Sequence, residues 1–150
     1  MVAKLVANRD GVPVASLRPT WVQHPGDYGG LQSRLEEIDI ESSDLDGAFW
    51  CYVDVRDVGQ AVQDAVDATF EGHQAFNLDS GDNPTDVALP ELLQAIHGQE
   101  PDQSLPSDGS GMSIEKADAL LDWRPQHTLA NAATASPDVT AFVAAGNPWV

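Results

Sequence analysis

Positive charge is what this chain has least of. Seven Lys and Arg, with Lys4 and Lys116 the two lysines, face 24 Asp and Glu, for a formal net charge of −17. Such a surface repels a phosphate backbone, which argues against nucleic acid as a partner. Cysteine is nearly absent. Cys51 stands alone, so no disulfide framework and no cysteine metal set is available. Among the apolar neighbours of a strand it reads as a small buried hydrophobe. Long apolar runs are missing as well: none approaches the roughly 20 residues of a membrane helix. No charged-then-apolar signal segment opens the chain. The expectation is a soluble, cytoplasmic protein with no membrane partner.

What is present argues for a folded domain. At 150 residues the chain suits one domain with a single sizeable core. Its 42% hydrophobic residues fall in periodic groups, which separates it from acidic disordered sequences. Scarce lysine with abundant aspartate fits a protein of salt-rich, halophilic cytoplasm, where screening removes self-repulsion.

Phe49 to Phe70 is the most informative stretch. Trp50, Tyr52, Val53 and Val55 are aromatic or β-branched and roughly alternate with polar residues, as in a half-buried strand. The period then changes. Val58, Ala61, Val62, Ala65, Val66 and Thr69 fall on one face of a helix, and Asp57 stands where an N-cap belongs. A strand running into a capped amphipathic helix is a packing unit of an α/β or α+β domain.

Upstream, Met1 to Asp10 reads as the end of a helix, with Val2, Leu5 and Val6 on one side and Gly11 as its stop. Val12, Val14, Ala15 and Leu17 make a nearly continuous apolar run, the pattern of a parallel strand covered on both faces. Arg18 to Gly30 reads as a loop. In it, Trp21 either packs under the loop or faces a ligand, and His24 is either an exposed histidine or a proton-transfer group. Leu31, Leu35 and Ile38 have helical spacing. The acidic run from Glu36 to Asp46 lacks the glycine of a calcium loop and reads as a solvated face. Ala75 to Leu78 forms a short strand. A helix follows to His97, capped by Thr85 or Asp86 and stopped by Gly98. After the polar loop Gln99 to Gly111, a last helix has Ser113 as cap and Ile114, Ala117, Leu120 and Leu121 as its buried stripe.

Four of these segments, in order, carry a resemblance. VASLRPTWVQHPG (Val14 to Gly26), YVDVRDVGQAV (Tyr52 to Val62), GHQAFNLDS (Gly72 to Ser80) and SIEKADALLDWRP (Ser113 to Pro125) resemble the extended short-chain dehydrogenase/reductase family, the NAD-dependent epimerases and dehydratases. The first resembles that family's sixth Rossmann strand. The third resembles the next strand, usually ending Asn-Val/Leu-Gly-Ser, and the last resembles a helix closing on Leu-Gly-Trp-x-Pro. The fold class this implies is α/β: the C-terminal part of a Rossmann-type NAD(P)-binding fold with its small substrate-binding lobe, over residues 1–129. Residues 130–150 are an unassigned Ala-rich tail.

By position, the resemblance places Pro19, Thr20, Trp21 and Val22 beside the nicotinamide of NAD or NADP; His24, Trp50 and Arg56 are the candidates for contact with a sugar-type substrate, Trp50 as an aromatic wall or else as core. Arg56 has a competing reading as the ion-pair partner of Asp54 or Asp57. Where the family's nucleotide-sugar enzymes carry Arg-Asp, this chain has Trp50-Cys51, and neither can replace a bidentate phosphate fork. The glycine-rich pyrophosphate turn and the Tyr-x-x-x-Lys pair are both missing, so no catalytic residue is assigned. No metal ligand is assigned either. The expectation is the C-terminal portion of an NAD-dependent epimerase or dehydratase, inactive alone and binding no cofactor tightly, its N-terminal half missing. The alternative is a non-catalytic acidic module that dimerises or binds a protein through an exposed strand edge.

Overall fold

In the computed structural model, which describes residues 2–25, 27–39, 50–98 and 105–132, six short helices surround two parallel strand pairs. The acidic run beyond residue 39 and the tail beyond residue 132 lie outside the described residues.

Helix α1 (Val2–Asp10) ends on Gly11 at φ +66, whose N–H donates to the Ala7 carbonyl at 3.0 Å. Only glycine adopts that left-handed conformation at little cost. The expected apolar side of α1 is open: Val2 and Leu5 are exposed, and Ala7 is the buried residue. Strand β1 (Val14–Pro19) follows. Its polypeptide then turns through Thr20 into β2 (Trp21–Gln23), a strand inside the stretch that reads as a loop. Three residues between two prolines carry no period. β2 exists because β3 (Tyr52–Asp54) lies alongside in parallel register, Trp21 opposite Tyr52 and Gln23 opposite Asp54.

Helix α3 (Val55–Asp67) starts three residues earlier than the sequence suggests. Asp54 is its N-cap and accepts from the Arg56 N–H at 2.8 Å, while Asp57 sits in the first turn and reaches elsewhere. Strand β4 (His73–Leu78) pairs with β1 in parallel, Val14 opposite His73 and Pro19 opposite Leu78. The remaining helices are α2 (Gly29–Glu36), α4 (Leu89–His97), α5 (Glu115–Leu121) and α6 (Leu129–Ala132). Helix α4 starts after the expected caps. Thr85 instead closes a turn with Asn83, and Ala88 is an N-cap without a side-chain bond. Ser113 accepts from the Glu115 N–H at 3.3 Å but is not the cap: α5 begins at Glu115, with Ile114 as an N-cap without a side-chain bond.

Two apolar clusters hold these parts together. The first gathers Val53, Ala61, Phe76, Leu78, Ala117, Leu121 and Trp123, with Ala15 and Leu17 against it. It lies between the β1–β4 pair, α3 and α5. The second joins Tyr28, Leu31, Trp50, Tyr52 and Leu92 on the side of α2 and α4. Other residues expected to face inward are exposed: Val12, which precedes β1, Val62 and Val66 on α3, Thr69, which lies beyond its end, and Leu120. β1 is likewise only half-buried, because β4 is its sole strand neighbour among the described residues.

Between the two clusters, the segment after α5 is anchored to the start of α3. Trp123 is buried, and its indole N–H donates to the Asp57 carbonyl at 2.9 Å. The Asp57 carboxylate accepts from the N–H groups of Gln126 and His127 at 3.1 and 2.9 Å. Its other oxygen lies 2.7 Å from His127 Nδ1. No helix among the described residues is long and apolar enough to cross a membrane.

Candidate functional site

Parallel strands deliver their carboxyl ends to one edge, and that is where open α/β sheets bind ligands. β1 and β4 end together at Pro19 and Leu78, and the next residues, Thr20 and Asp79, meet. The Thr20 N–H donates to the Leu78 carbonyl at 3.0 Å, and its hydroxyl lies 3.1 Å from Asp79 Oδ2. Asp79 Oδ1 accepts from the Gly81 N–H at 2.9 Å. Gly81 has φ +76, so the turn that brings its N–H back needs a residue without a Cβ penalty. Asp79 is fully buried, and burial pushes its carboxyl above the ordinary carboxylate range, against the pull of Ser110, Gly81 and Thr20.

β2 and β3 supply the second wall. The Trp21 N–H donates to the Cys51 carbonyl at 3.3 Å, and the Ser80 N–H to the Tyr52 carbonyl at 2.7 Å. These bonds tie both sheet ends into one polar layer. In it, Cys51 Sγ and Ser110 Oγ are 3.3 Å apart, and burial pushes the Cys51 thiol up to about 11. Ser80 Oγ is buried with no hydrogen-bond partner among the described residues. The Tyr52 hydroxyl lies 3.0 Å from both Asp82 carboxylate oxygens and accepts from the Leu129 N–H at 2.6 Å.

The residues singled out from the sequence divide. Pro19, Thr20, Trp21 and Val22 form one continuous strap over the strand ends. Within it Trp21 is 43% exposed, with the Arg34 guanidinium 5.7 Å from its ring centroid. His24 is also exposed, in a tight turn where its carbonyl accepts from the Asp27 N–H. Trp50 sits deep in the second apolar cluster at φ +52, a strained conformation for a bulky side chain. Arg56 is committed to Asp54, with Nε and Nη2 at 2.8 and 2.9 Å from its two oxygens. The Tyr28 hydroxyl adds a third bond to Asp54 at 2.6 Å. Burial raises the Asp54 carboxyl, but Arg56 and Tyr28 outweigh burial and hold it below the ordinary range. Pro19 and Trp21 therefore face outward, Thr20 and Val22 turn toward Asp79 and the first apolar cluster, and Trp50 and Arg56 are built into the walls.

Asp79, Ser110 and Tyr28 are the members that sequence reading missed. Asp79 had a visible signal, an acid directly after the apolar strand AFNL, but its partner Thr20 is 59 residues away. Among the described residues no three His, Cys, Asp or Glu converge to hold a metal ion. Compared with protein-family models and with curated proteins, the chain matches none.

Proposed function

We propose that this chain is the C-terminal portion of an NAD-dependent epimerase/dehydratase-like protein acting on a sugar or sugar acid. The observation that carries the reading is the parallel pairing of Val14–Pro19 with His73–Leu78, with the Pro19–Val22 strap leaving from their shared carboxyl end. Those are the strands that resemble the last two of the Rossmann sheet, and the strap is the segment placed beside the nicotinamide. A second observation supports the alignment. Asp122 has φ +56 at the end of α5, and it stands where the resembled Leu-Gly-Trp-x-Pro pattern has glycine. The backbone thus takes a glycine conformation at the glycine position.

The residues present fit one wall of a cofactor site. Backbone groups of Pro19 to Val22 would line the nicotinamide side, and the exposed Trp21 face would meet an uncharged ring. When bound, NAD would supply hydride transfer; the chain would orient the ring and exclude water from one side. Asp79, at the glycine position of the resembled Asn-Val/Leu-Gly-Ser pattern, fastens the strap through Thr20. The pyrophosphate turn and the Tyr-Lys pair are not among these 150 residues. The purified chain is therefore expected to form no NADH above background across a panel of sugars and sugar acids. Clear turnover by the chain alone would overturn the reading.

A further inference from the structure

Trp21 is the exposed aromatic side chain among the described residues, and it follows directly on the carboxyl end of β1. Exposure by itself carries little, since Val2 and Leu5 are more exposed still. What sets Trp21 apart is how firmly it is held. Its N–H donates to the Cys51 carbonyl at 3.3 Å, and its carbonyl accepts from the Gln23 side-chain amide at 3.3 Å. The residue before it is fixed as well, by the bonds from Thr20 to Leu78 and Asp79.

The indole is held too. A side chain at Gly30 would begin 3.5 Å from Trp21 Cζ2 and 3.7 Å from Cη2, so the bare backbone of α2 lies against the six-membered ring. One turn further along α2, the Arg34 guanidinium stands over the indole, 5.7 Å from its centroid. With α2 behind the ring, its exposure falls on the face turned away from that helix. The open face is a flat apolar surface, ordered before any ligand arrives. A positive charge already over one side makes the ring a poorer seat for a second cation. The oxidised nicotinamide ring is such a cation, and the reduced ring is not. A cofactor alternating between the two would meet this face on unequal terms, whereas the C–H face of a sugar ring is uncharged throughout.

We infer that the open face of Trp21 is the sugar subsite, stacking against the C–H face of a pyranose ring, while the backbone of Pro19 to Val22 serves the nicotinamide. The inference rests on the cofactor reading for its setting and names the substrate class that one side chain selects. A rigid aromatic wall meets the C–H groups that a closed sugar ring gathers on one side. An open-chain polyol has the same hydroxyls but presents no such common face.

The test uses the full chain in molar salt, which screens its −17 charge so that a cationic probe is not drawn to the surface at large. Indole N–H signals are followed by heteronuclear NMR. That of Trp21 is identified by its loss in Trp21→Phe, an exposed change that keeps an aromatic ring, and those of the buried Trp50 and Trp123 serve as references. Methyl β-glucopyranoside is expected to shift the Trp21 signal saturably, with a half-point of about 10–100 mM, the range of a single stacking contact. Mannitol, and nicotinamide methylated on its ring nitrogen, are expected to need at least about tenfold more. The Trp50 and Trp123 signals should stay in place. No saturable shift with the glucoside, an equal response to mannitol, a preference for the nicotinamide cation, or movement of the buried tryptophan signals overturns the inference. Each of these outcomes leaves the fragment reading standing, because that reading falls only to turnover by the chain alone in the NADH assay.

Discussion

Replacing Asp57 with alanine removes the carboxylate that fastens the segment after α5 to the first turn of α3. That side chain is 4% exposed and accepts from the Gln126 and His127 N–H groups, with His127 Nδ1 at 2.7 Å. Because the acceptor is a carboxylate, each bond is stronger than a neutral one. Gln126 is exposed and His127 half-exposed, however, so their freed donors regain water. About 1 kcal/mol per bond is then appropriate, or about 3 kcal/mol in all. Loss of the acid from a helix N-terminus adds a few tenths, which the better helix propensity of alanine offsets. Three kcal/mol is a large share of the ~5–15 kcal/mol that holds a domain together. With a urea slope of about 1.5 kcal/mol per molar, the midpoint should fall by roughly 2 M. Asp57→Asn keeps one acceptor oxygen and should lose about half as much. Urea titrations followed by tryptophan fluorescence and by circular dichroism read both variants. A midpoint change corresponding to less than ~0.5 kcal/mol, the usual size for an exposed carboxylate, would refute the claim that this residue clamps the segment.

Asp79→Asn tests the buried acid of the polar layer. Its carboxyl titrates above the ordinary 3.8, so protonation favours the folded state. The contribution to stability is full below the unfolded value and lost as pH rises through the folded one. The stability of the parent chain minus that of the variant should therefore decline from pH ~4 to pH ~7 in paired urea titrations; a difference flat with pH contradicts the assignment. Cys51, its thiol raised to about 11 by burial, should react with a thiol reagent at pH 8 far more slowly folded than in urea. Roughly a hundredfold is expected from the thiolate fraction alone, and equal rates would show the thiol to be open. Asp122→Gly should raise stability by about 0.5–1 kcal/mol, by relieving the left-handed backbone at the end of α5. A loss in thermal midpoint would mean that the Asp122 side chain makes a contribution larger than that strain.

Much of the local structure was legible because it rests on contacts close in sequence. The strand into α3, Gly11 and Gly98 as helix stops, Pro90 in the first turn of α4 and the half-apolar stripe of α5 all follow from period and backbone preference. The errors cluster where local rules offer two answers. Asp54 and Asp57 are both competent caps, and the choice fell to Asp54 because Arg56 and Tyr28 complete its shell while Asp57 is occupied by His127. β2 was invisible because three residues hold no pattern.

The sequence alone determined the acidic surface, the lone thiol, the helix boundaries set by glycine and proline, and the absence of the Gly-rich turn and Tyr-Lys pair. Tertiary structure decided which of the marked residues face outward. Thr20 and Asp79 are brought together by the β1–β4 register, Arg56 is turned onto Asp54, and Trp50 is drawn into the core. It also left Val62 and Val66 uncovered on a helix face whose period says buried. The physical reason is that periodicity reports which face of an element is apolar, while only packing between distant segments determines what, if anything, comes to rest against it.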